Sequence, residues 1–441
     1  MQNFKFLLKN VSLIIVSIVI ILISIGALIL KLNFLYKDSI SPSLIDAIFV
    51  SSSSICSLGI IPIDIENFSI WGKIFFLTWI QIGGVGILTI LIVISSFFAK
   101  VGIEWYIFSC GIFETSILRN IKKITKVIIY TTFFFEVLGA ILYKISAYFL
   151  NIKLSIFESF FASVNVFCNS GFFLNKVFLI DFYSSQLFFY ISTFLTIAGG
   201  IGFLFFFELF SSFFKEERFN EKNFFSFSLT TKISLKIYFF STIIAFLFYY
   251  FLIKENFSFL FFSKILFLSF SMKGLGVSPF PNEFNPFIAL FNIIYNFIGT
   301  APLGTGAGLK TTVSGLIFTS IKSLIKNEQN VVIEKRIVPW NIIAYSYATF
   351  FFIIGFSFFG AFFVKNIFYK LDFFSVFADT ISIFLGNGFI FNVPSEWTNY
   401  IKIIFIFLML MGKVLLIILG LPAPKKNDVA IVYPEEDIII F

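Results

Sequence analysis

Long apolar segments alternate along the chain with short polar stretches, and the apolar segments fall into two length classes. The longer ones, beginning with Val11 to Leu30, reach the roughly 20 residues that a membrane-spanning helix needs. The shorter ones hold about a dozen residues and end in a polar turn that contains glycine. A helix of that length is too short to cross a bilayer. The pattern therefore predicts full spans mixed with half-helices.

The order of span, half-helix, turn and span occurs four times, which predicts a repeat architecture. The first spans cover roughly 11–31, 125–150, 235–253 and 341–364. The half-helices cover roughly 44–56, 155–168, 260–272 and 372–385, and the second spans cover roughly 71–98, 184–212, 287–321 and 398–420. We therefore predict an all-α polytopic membrane protein, with eight full spans and four re-entrant half-helices around a single pore. Its repeats would occupy residues 1–100, 101–214, 215–326 and 327–441.

A glycine marks each of the four turns, and a second glycine follows each of them in the next span. The turn glycines are Gly59, Gly171, Gly276 and Gly388. The second glycines, which follow after 24, 28, 23 and 24 residues, are Gly83, Gly199, Gly299 and Gly412. One such glycine is explained by close helix packing, but four in register favour a shared function. Irregular backbone at membrane depth persists only where protein covers it or it lines a watery cavity, so we expect the turns to surround one axis.

Composition narrows the class of protein. The chain is 59% hydrophobic and 13% charged, with a mean hydropathy of +0.98, whereas soluble domains are about a quarter charged. The apolar run at the N-terminus is longer than the core of a signal peptide, so we interpret it as the first span. The chain has only three cysteines and no CxxC pair, which argues against a disulfide framework. It has no histidine, so the commonest general base is missing.

Basic residues are distributed unevenly between the two predicted sides of the membrane. The termini and the links between repeats hold 18 of the 32 lysines and arginines, and the connections around the turns hold 11. Because positive charge gathers on the cytoplasmic side, both termini are predicted to be cytoplasmic. The basic stretches 119–126 and 215–236 are expected to meet lipid headgroups. They lack the interleaved aromatic residues of a nucleic-acid interface.

Backbone turns converging on one axis suit a cation. Rings of carbonyl oxygens can replace the hydration shell of an ion, and glycine tolerates the backbone angles that aim successive carbonyls the same way. Half-helices that point their C-terminal ends inward add partial negative charge. A second glycine-rich segment, NFIGTAPLGTGAGLKTT at 296–312, is similar in composition to a phosphate-binding loop. Its spacing is wrong and no strand precedes it, so we predict no nucleotide site in this chain.

The segments NFIGTAPLGTGAGLKTT, IQIGGVG, FCNSGF and VYPEEDIII resemble those of the bacterial Trk/Ktr potassium-uptake superfamily, and the whole chain is most similar to the Ktr-type membrane subunit. The resemblance implies K+ uptake through a backbone filter at the four turn glycines. It adds the carbonyls of the residues before them: Leu58, Ser170, Leu275 and Asn387. It also implies an intramembrane gating loop at 300–312, with the following gating residues: Gly304, Gly306, Gly308, Lys310 and Lys413. Lys273 takes the place of a basic residue before the third filter turn.

The same resemblance implies the setting in which the protein works. It implies a homodimer in the bacterial cytoplasmic (inner) membrane and a separate cytoplasmic ring-forming subunit that binds nucleotides. Na+ is implied as a coupling ion. Two filter turns depart from the family pattern, since Cys56, Ser57 and Leu58 stand where threonines are usual and Gly274 and Leu275 stand where Thr-Ala is usual.

Several alternatives remain open on the residues alone. The departures leave room for a weakly selective monovalent cation channel, and broken helices also occur in secondary carriers. A membrane enzyme is the weakest reading, because no convergent catalytic set is visible. For Glu136 and Glu208 we favour a structural partner or an interfacial position over a proton relay. Cys56 and Cys168 are interpreted as packing residues. Lys310 and Lys413 are expected on the pore side, since lysines within a bilayer usually face water or a partner.

Overall fold

The computed structural model describes most of the chain. The described residues are 11–37, 41–63, 65–86, 121–172, 185–213, 227–253, 255–256, 258–280, 286–367, 372–390 and 398–419. The predicted remainder of the first repeat's second span, the basic stretch before residue 121, part of the stretch 215–236 and the segment VYPEEDIII lie outside them.

The described residues are mostly helical. Repeat one contains α1 (Val11–Leu30), α2 (Leu44–Cys56) and α3 (Ile70–Val85), and repeat two contains α4 (Ile121–Phe149), α5 (Ile156–Phe167), α6 (Gln186–Gly200) and α7 (Phe203–Phe213). Repeat three contains α8 (Leu229–Leu252), α9 (Phe259–Ser271), α10 (Pro286–Asn296) and α11 (Thr311–Ile325). A hairpin of β1 (Val332–Ile333) and β2 (Arg336–Ile337) leads to α12 (Trp340–Ile367), α13 (Phe373–Leu385) and α14 (Asn399–Leu419).

The half-helices α2, α5, α9 and α13 lie within a residue or so of their predicted positions, and each begins at a side-chain cap. The hydroxyls of Ser43, Ser155 and Ser258 accept hydrogen bonds from backbone amides of the first turn. Asp372 does the same with its carboxylate. Such caps satisfy amides that have no partner within the helix. The four caps are a repeated start signal that the hydrophobic pattern did not single out.

Long apolar helices surround the half-helices. Three described helices, α4, α8 and α12, are long and apolar enough to cross a membrane, or four spans result if the bent pair α6 and α7 is one span. Phe133 and Phe134 of α4 are among many large apolar side chains that are exposed on these helices, as lipid-facing residues are. The layout of eight full spans stays a prediction.

The apolar pattern predicted a continuous second span in repeat two, but the structure shows a broken one. Helices α6 and α7 meet at an angle of 82°. Gly202 stands at this break with a φ of 91°, and Gly86 ends α3 with a φ of 88°. Both are the last glycine of a Gly-Gly-x-Gly sequence. A positive φ is costly for residues with a side chain, so this glycine ends or bends the helix in repeats one and two.

The four repeats pack in a closed cycle. Within each repeat the first helix packs on its own half-helix, while the second helix packs on the half-helix of the next repeat. Thus α3 contacts α5, α6 contacts α9, α10 contacts α13, and α14 returns to α2. An ion pair between Lys402 of α14 and Asp46 of α2, with an N–O distance of 2.5 Å, strengthens the last of these contacts. The cycle places the C-terminal ends of the half-helices near its centre.

Candidate ion pathway

The four turn glycines form a closed ring at the centre of the cycle. A methyl group at Gly59 would lie 2.7 Å from the carbonyl oxygen of Ser170, and one at Gly171 would lie 2.5 Å from that of Leu275. The ring continues from Gly276 to the carbonyl of Asn387 and closes from Gly388 to the carbonyl of Leu58. Each turn therefore touches the next through the residue that precedes that turn's glycine.

The backbone of the ring has the conformation that the sequence predicted for it. The φ angles of the four glycines lie between 66° and 76°. Ser57, Asn169 and Gly386, two residues before their glycines, also have positive φ. All four glycines are partly exposed, whereas the residues before them are buried. Main-chain oxygens thus border an accessible centre while the side chains beside them pack into the protein.

Partial negative charge from the half-helices is directed at this ring. Helices α2, α5, α9 and α13 all end between three and five residues before their turn glycines. The last carbonyls of a helix carry about half of a negative elementary charge in total. Four such ends around one axis favour a cation at the centre.

The glycine-rich segment between α10 and α11 folds into a compact loop that contacts the same region. Its backbone is paired by hydrogen bonds from the amides of Gly299 and Thr300 to the carbonyls of Leu309 and Ala307, at 2.8 and 3.1 Å. The carbonyl of Thr300 accepts a further bond from the amide of Thr311. A side chain at Gly306 or Gly308 would collide with Thr300 or Gly299. These glycines are therefore required for the two arms of the loop to approach each other.

The tip of the loop is tied to the ends of two half-helices. Thr305 donates its hydroxyl to the carbonyl of Phe167, the last residue of α5, at 2.7 Å, and accepts from the amide group of Asn169 at 2.8 Å. The amide of Gly308 donates to the carbonyl of Leu385, the last residue of α13, at 2.9 Å. The loop therefore uses the terminal carbonyls of two half-helices as hydrogen-bond acceptors.

Repeat two also holds the loop through its second helix. The amides of Ala301 and Thr305 donate to the carbonyls of Gly200 and Gly199, both at 3.0 Å. Sequence reasoning identified Gly199 from its spacing but missed Thr305 and Asn169. The only sequence signal for this contact was that Asn169 lies in a turn and Thr305 in the loop.

The two lysines expected on the pore side have different surroundings. Both are partly exposed. The ammonium of Lys310 lies within the loop, 3.1 Å from the carbonyl of Gly306 and 3.4 Å from that of Gly304. The ammonium of Lys413 reaches across from α14 to the carbonyl of Gly83 in α3, at 3.3 Å.

Lys273 is buried beside the ring, inside repeat three. Its ammonium donates to the carbonyl of Tyr238 at 2.9 Å and to the hydroxyl of Ser241 at 2.6 Å. It also lies 4.4 Å from the centre of the Tyr238 ring, within the range of a cation–π contact. These contacts join the end of α9 to α8.

The two carboxylates have structural partners. Glu136 is 5% exposed and accepts a hydrogen bond from the side-chain amide of Gln81 at 2.6 Å, which joins repeat two to repeat one. Glu208 accepts from the amide of Ser228, the cap residue of α8. Cys56 and Cys168 are buried. These contacts agree with the structural interpretation of the four side chains.

The second glycines act by close packing in three repeats. A methyl group at Gly83, Gly199 or Gly412 would collide with a carbonyl near the end of the half-helix of the same repeat. In repeat three, a methyl group at Gly299 would instead collide with the carbonyls of the loop. The regular spacing from turn glycine to second glycine therefore reflects the close approach of the second helix to its half-helix in repeats one, two and four. In repeat three the loop makes the close contact with the second glycine instead.

Comparison with known proteins agrees with this architecture. The model of the TrkH family, described as cation transport protein, matches residues 2–422. The chain belongs to the TrkH family. Its members are transport proteins rather than enzymes, which removes the membrane-enzyme alternative for this member.

Individual relatives match between 42% and 94% of this family member. The Ktr system potassium uptake protein B of Bacillus subtilis is 25% identical over 434 residues, which are 94% of this chain and 93% of the relative. The potassium/sodium uptake protein NtpJ of Enterococcus hirae is 32% identical over 194 residues, 42% of each chain. The crystal structure of the potassium transporter TrkH from Vibrio parahaemolyticus superposes with a TM-score of 0.70 at 16% identity, over 92% of this chain and 83% of that one. That likeness shows the shared fold.

Proposed function

We propose that this protein takes up potassium ions across the bacterial cytoplasmic membrane through the ring of the four turn glycines. The observation that carries the proposal is the closed contact of each glycine with the carbonyl of the next turn. Membership of a cation transport family supports a cation, and the names of the Ktr relatives supply potassium as the first candidate.

The ring would act by replacing water around the ion. An ion that enters loses part of its hydration shell and is compensated by the carbonyl oxygens beside the glycines. The half-helix ends would add long-range attraction. Uptake would be driven by the membrane potential, which supplies about 2.3 kcal/mol per charge per 100 mV. Both termini would lie in the cytoplasm, as the distribution of basic residues indicates.

The loop at 300–312 would be the gate beneath the ring. Its closed position is supported by Thr305 and Gly308, which use the terminal carbonyls of α5 and α13. Release of the tip would remove a physical obstruction and would also leave the carbonyl of Leu385 without the bond from Gly308. Lys310 would brace the loop from within through the carbonyls of Gly304 and Gly306. Movement of the loop would thus change the hydrogen bonding of carbonyls at the half-helix ends, and with it the electrostatic potential along the pathway.

Further parts of the proposal extend to partners and coupling. We expect a homodimer and a separate cytoplasmic ring-forming, nucleotide-binding subunit that moves the loop. Sodium dependence is the second candidate property, favoured by the potassium/sodium uptake relative. It predicts that added Na+ accelerates potassium uptake rather than only competing with it.

The test is rubidium uptake by the full-length chain in cells that lack their own potassium uptake systems, with and without a candidate partner. Gly388→Ala and Gly276→Ala place a methyl group against a carbonyl of the neighbouring turn at a positive φ. We expect uptake to fall at least about tenfold, since overpacking and backbone strain each cost on the order of 1–3 kcal/mol.

Gly355→Ala is the matched control, because a methyl group there would meet no atom within 4 Å. It should transport like the wild type. Uptake by Gly388→Ala and Gly276→Ala at the level of Gly355→Ala, with equal amounts in the membrane, would refute the filter.

A further inference from the structure

In three of the four repeats a buried polar side chain holds the backbone just after the turn glycine. The hydroxyl of Ser53 accepts from the amide of Ile60 at 3.2 Å. The side-chain oxygen of Asn165 accepts from the amide of Phe172 at 2.7 Å.

The third repeat makes the same contact from a residue that lies one position closer to its turn glycine. The hydroxyl of Ser271 accepts from the amide of Val277 at 3.0 Å and donates to the carbonyl of the same residue at 2.6 Å. Ser271 precedes its glycine by five residues, whereas Ser53 and Asn165 precede theirs by six. A comparison of the repeats by spacing therefore aligns Phe270 at this position and hides the third contact.

These three side chains are fully buried, each with 0% exposure. Hydrogen bonds are stronger in such surroundings than in water, and a group that loses its partner there cannot turn to solvent instead. In these three repeats the hydrogen bond to the amide after the turn glycine fixes the orientation of the peptide plane there. It also limits how far the turn can move toward the axis. The contacts therefore restrain the size of the ring.

Repeat two has the most extensive restraint. The side-chain oxygen of Asn165 also accepts from the hydroxyl of Ser170 at 2.9 Å, and the carbonyl of Ser170 lies against Gly59. Asn165 thus holds the chain on both sides of Gly171. Its amide nitrogen makes no hydrogen bond within the described residues, so the oxygen carries the function.

The fourth repeat has the corresponding residue but not the contact. Ser382 stands six residues before Gly388 and is 1% exposed. Its hydroxyl has no hydrogen-bond partner in the described part of the chain. In the fourth repeat this hydroxyl therefore does not take part in holding the turn. The side-chain amide of Asn387 holds it instead, by donating to the carbonyl of Met272 at 2.8 Å and to the side-chain oxygen of Asn296 at 2.7 Å.

We propose that Ser53, Asn165 and Ser271 are positioning residues that determine the preference of the ring for K+ over Na+. The inference rests on the proposed filter. A ring restrained at a fixed size favours the larger ion, whereas a ring free to contract accommodates the smaller one.

The test compares variants in the full-length protein at equal membrane abundance. Asn165→Leu keeps the approximate shape and removes the acceptor. Asn165→Ser keeps a hydroxyl acceptor, the group used by repeats one and three. We expect Asn165→Leu to raise the KM for K+ and lower the K+/Na+ uptake ratio by about fivefold to tenfold, the size of a lost buried hydrogen bond. Asn165→Ser should recover most of the ratio.

Ser53→Ala and Ser382→Ala form the matched pair. Both remove one buried hydroxyl from the same position of a half-helix, but only Ser53 holds an amide. Ser53→Ala should lower the ratio and Ser382→Ala should leave it unchanged. An unchanged ratio and KM in Asn165→Leu, or equal losses in Ser53→Ala and Ser382→Ala, would overturn the inference. If these results occurred while Gly388→Ala still abolished uptake, the filter itself would stand.

Discussion

The second helices of repeats three and four solve the same packing problem in different ways. In α14, Gly412 lies directly against the carbonyl of Phe384 at the end of the half-helix α13, so an unbroken helix covers that end. In repeat three, Gly299 lies against the carbonyls of Ala307 and Leu309, at 2.5 Å from the latter for an added methyl group. The helix is broken there, and the loop fills the space that a helix would have filled.

The lysine of each segment also differs in what it contacts, either another repeat or its own segment. Lys413 bridges from α14 to the carbonyl of Gly83 in another repeat. Lys310 bonds only to atoms of its own loop in the described residues. The loop is also held to α5, α6 and α13, but through individual hydrogen bonds of its backbone and of Thr305. These bonds can break while Lys310 keeps the loop together. This difference is the reason why we propose the loop, rather than α14, as the moving element.

The strongest test of this comparison is the pair Gly412→Ala and Gly299→Ala. A methyl group at Gly412 would collide with the fixed backbone of α13, so we expect a loss of stability of about 1–3 kcal/mol or more and little folded protein. At Gly299 the loop itself can yield, so the protein should remain folded while its transport rate changes. Yield of monodisperse protein, thermal unfolding and rubidium uptake measure the difference. Equal loss of folded protein in both variants would contradict it.

A smaller effect is expected from Thr305→Val, which keeps the shape of the side chain and removes the bonds to Phe167 and Asn169. Each neutral hydrogen bond contributes about 1 kcal/mol. Loss of one or both bonds should therefore weaken the closed loop and raise uptake without a partner by about fivefold to thirtyfold. Thr319→Val is the control, because that hydroxyl bonds only within α11. Lower uptake by intact Thr305→Val protein would argue that the loop is not a closed gate.

The smallest effect is expected from Lys413→Met, which removes the charge and keeps an apolar stem. The positive charge of Lys413 repels a passing cation, and in a partly hydrated pathway the repulsion energy is on the order of 1 kcal/mol. Without this charge, the rate of cation uptake should rise about twofold to fivefold. Lys402→Met is the control, because it also removes a lysine charge but only breaks the ion pair with Asp46. It should leave the ion preference unchanged. Kinetics of rubidium uptake in both variants identical to those of the wild type would remove Lys413 from the pathway.

Much of the candidate site was predictable because repetition exposes it. A lone Gly59 or Gly276 is an ordinary membrane-protein glycine, but four turn glycines after four half-helices indicate a common axis. The positions of α2, α5, α9 and α13 followed from apolar length alone, since a dozen residues cannot span a bilayer. The interrupted helix of repeat three was visible from its glycines and its resemblance to the superfamily.

The partners of the loop and the restraints on the ring were not predictable in the same way. Thr305 and Phe167 are 138 residues apart in sequence, and no periodic pattern relates them. The contact of Ser271 with Val277 is hidden by a shift of one residue relative to the other repeats. The break between α6 and α7 was also missed, because Gly202 lies in an apolar run whose length suits a single span.

By itself the sequence determined the class of protein, the four repeats and the positions of the turn glycines, because hydrophobic length and glycine spacing act locally along the chain. Only the tertiary structure decided that each turn touches the next one in a closed cycle, that the loop uses the terminal carbonyls of α5 and α13, and that the hydroxyl of Ser382 makes no hydrogen bond with another described residue. These features depend on distances of a few ångströms between residues far apart in sequence, and such distances exist only once the helices have packed.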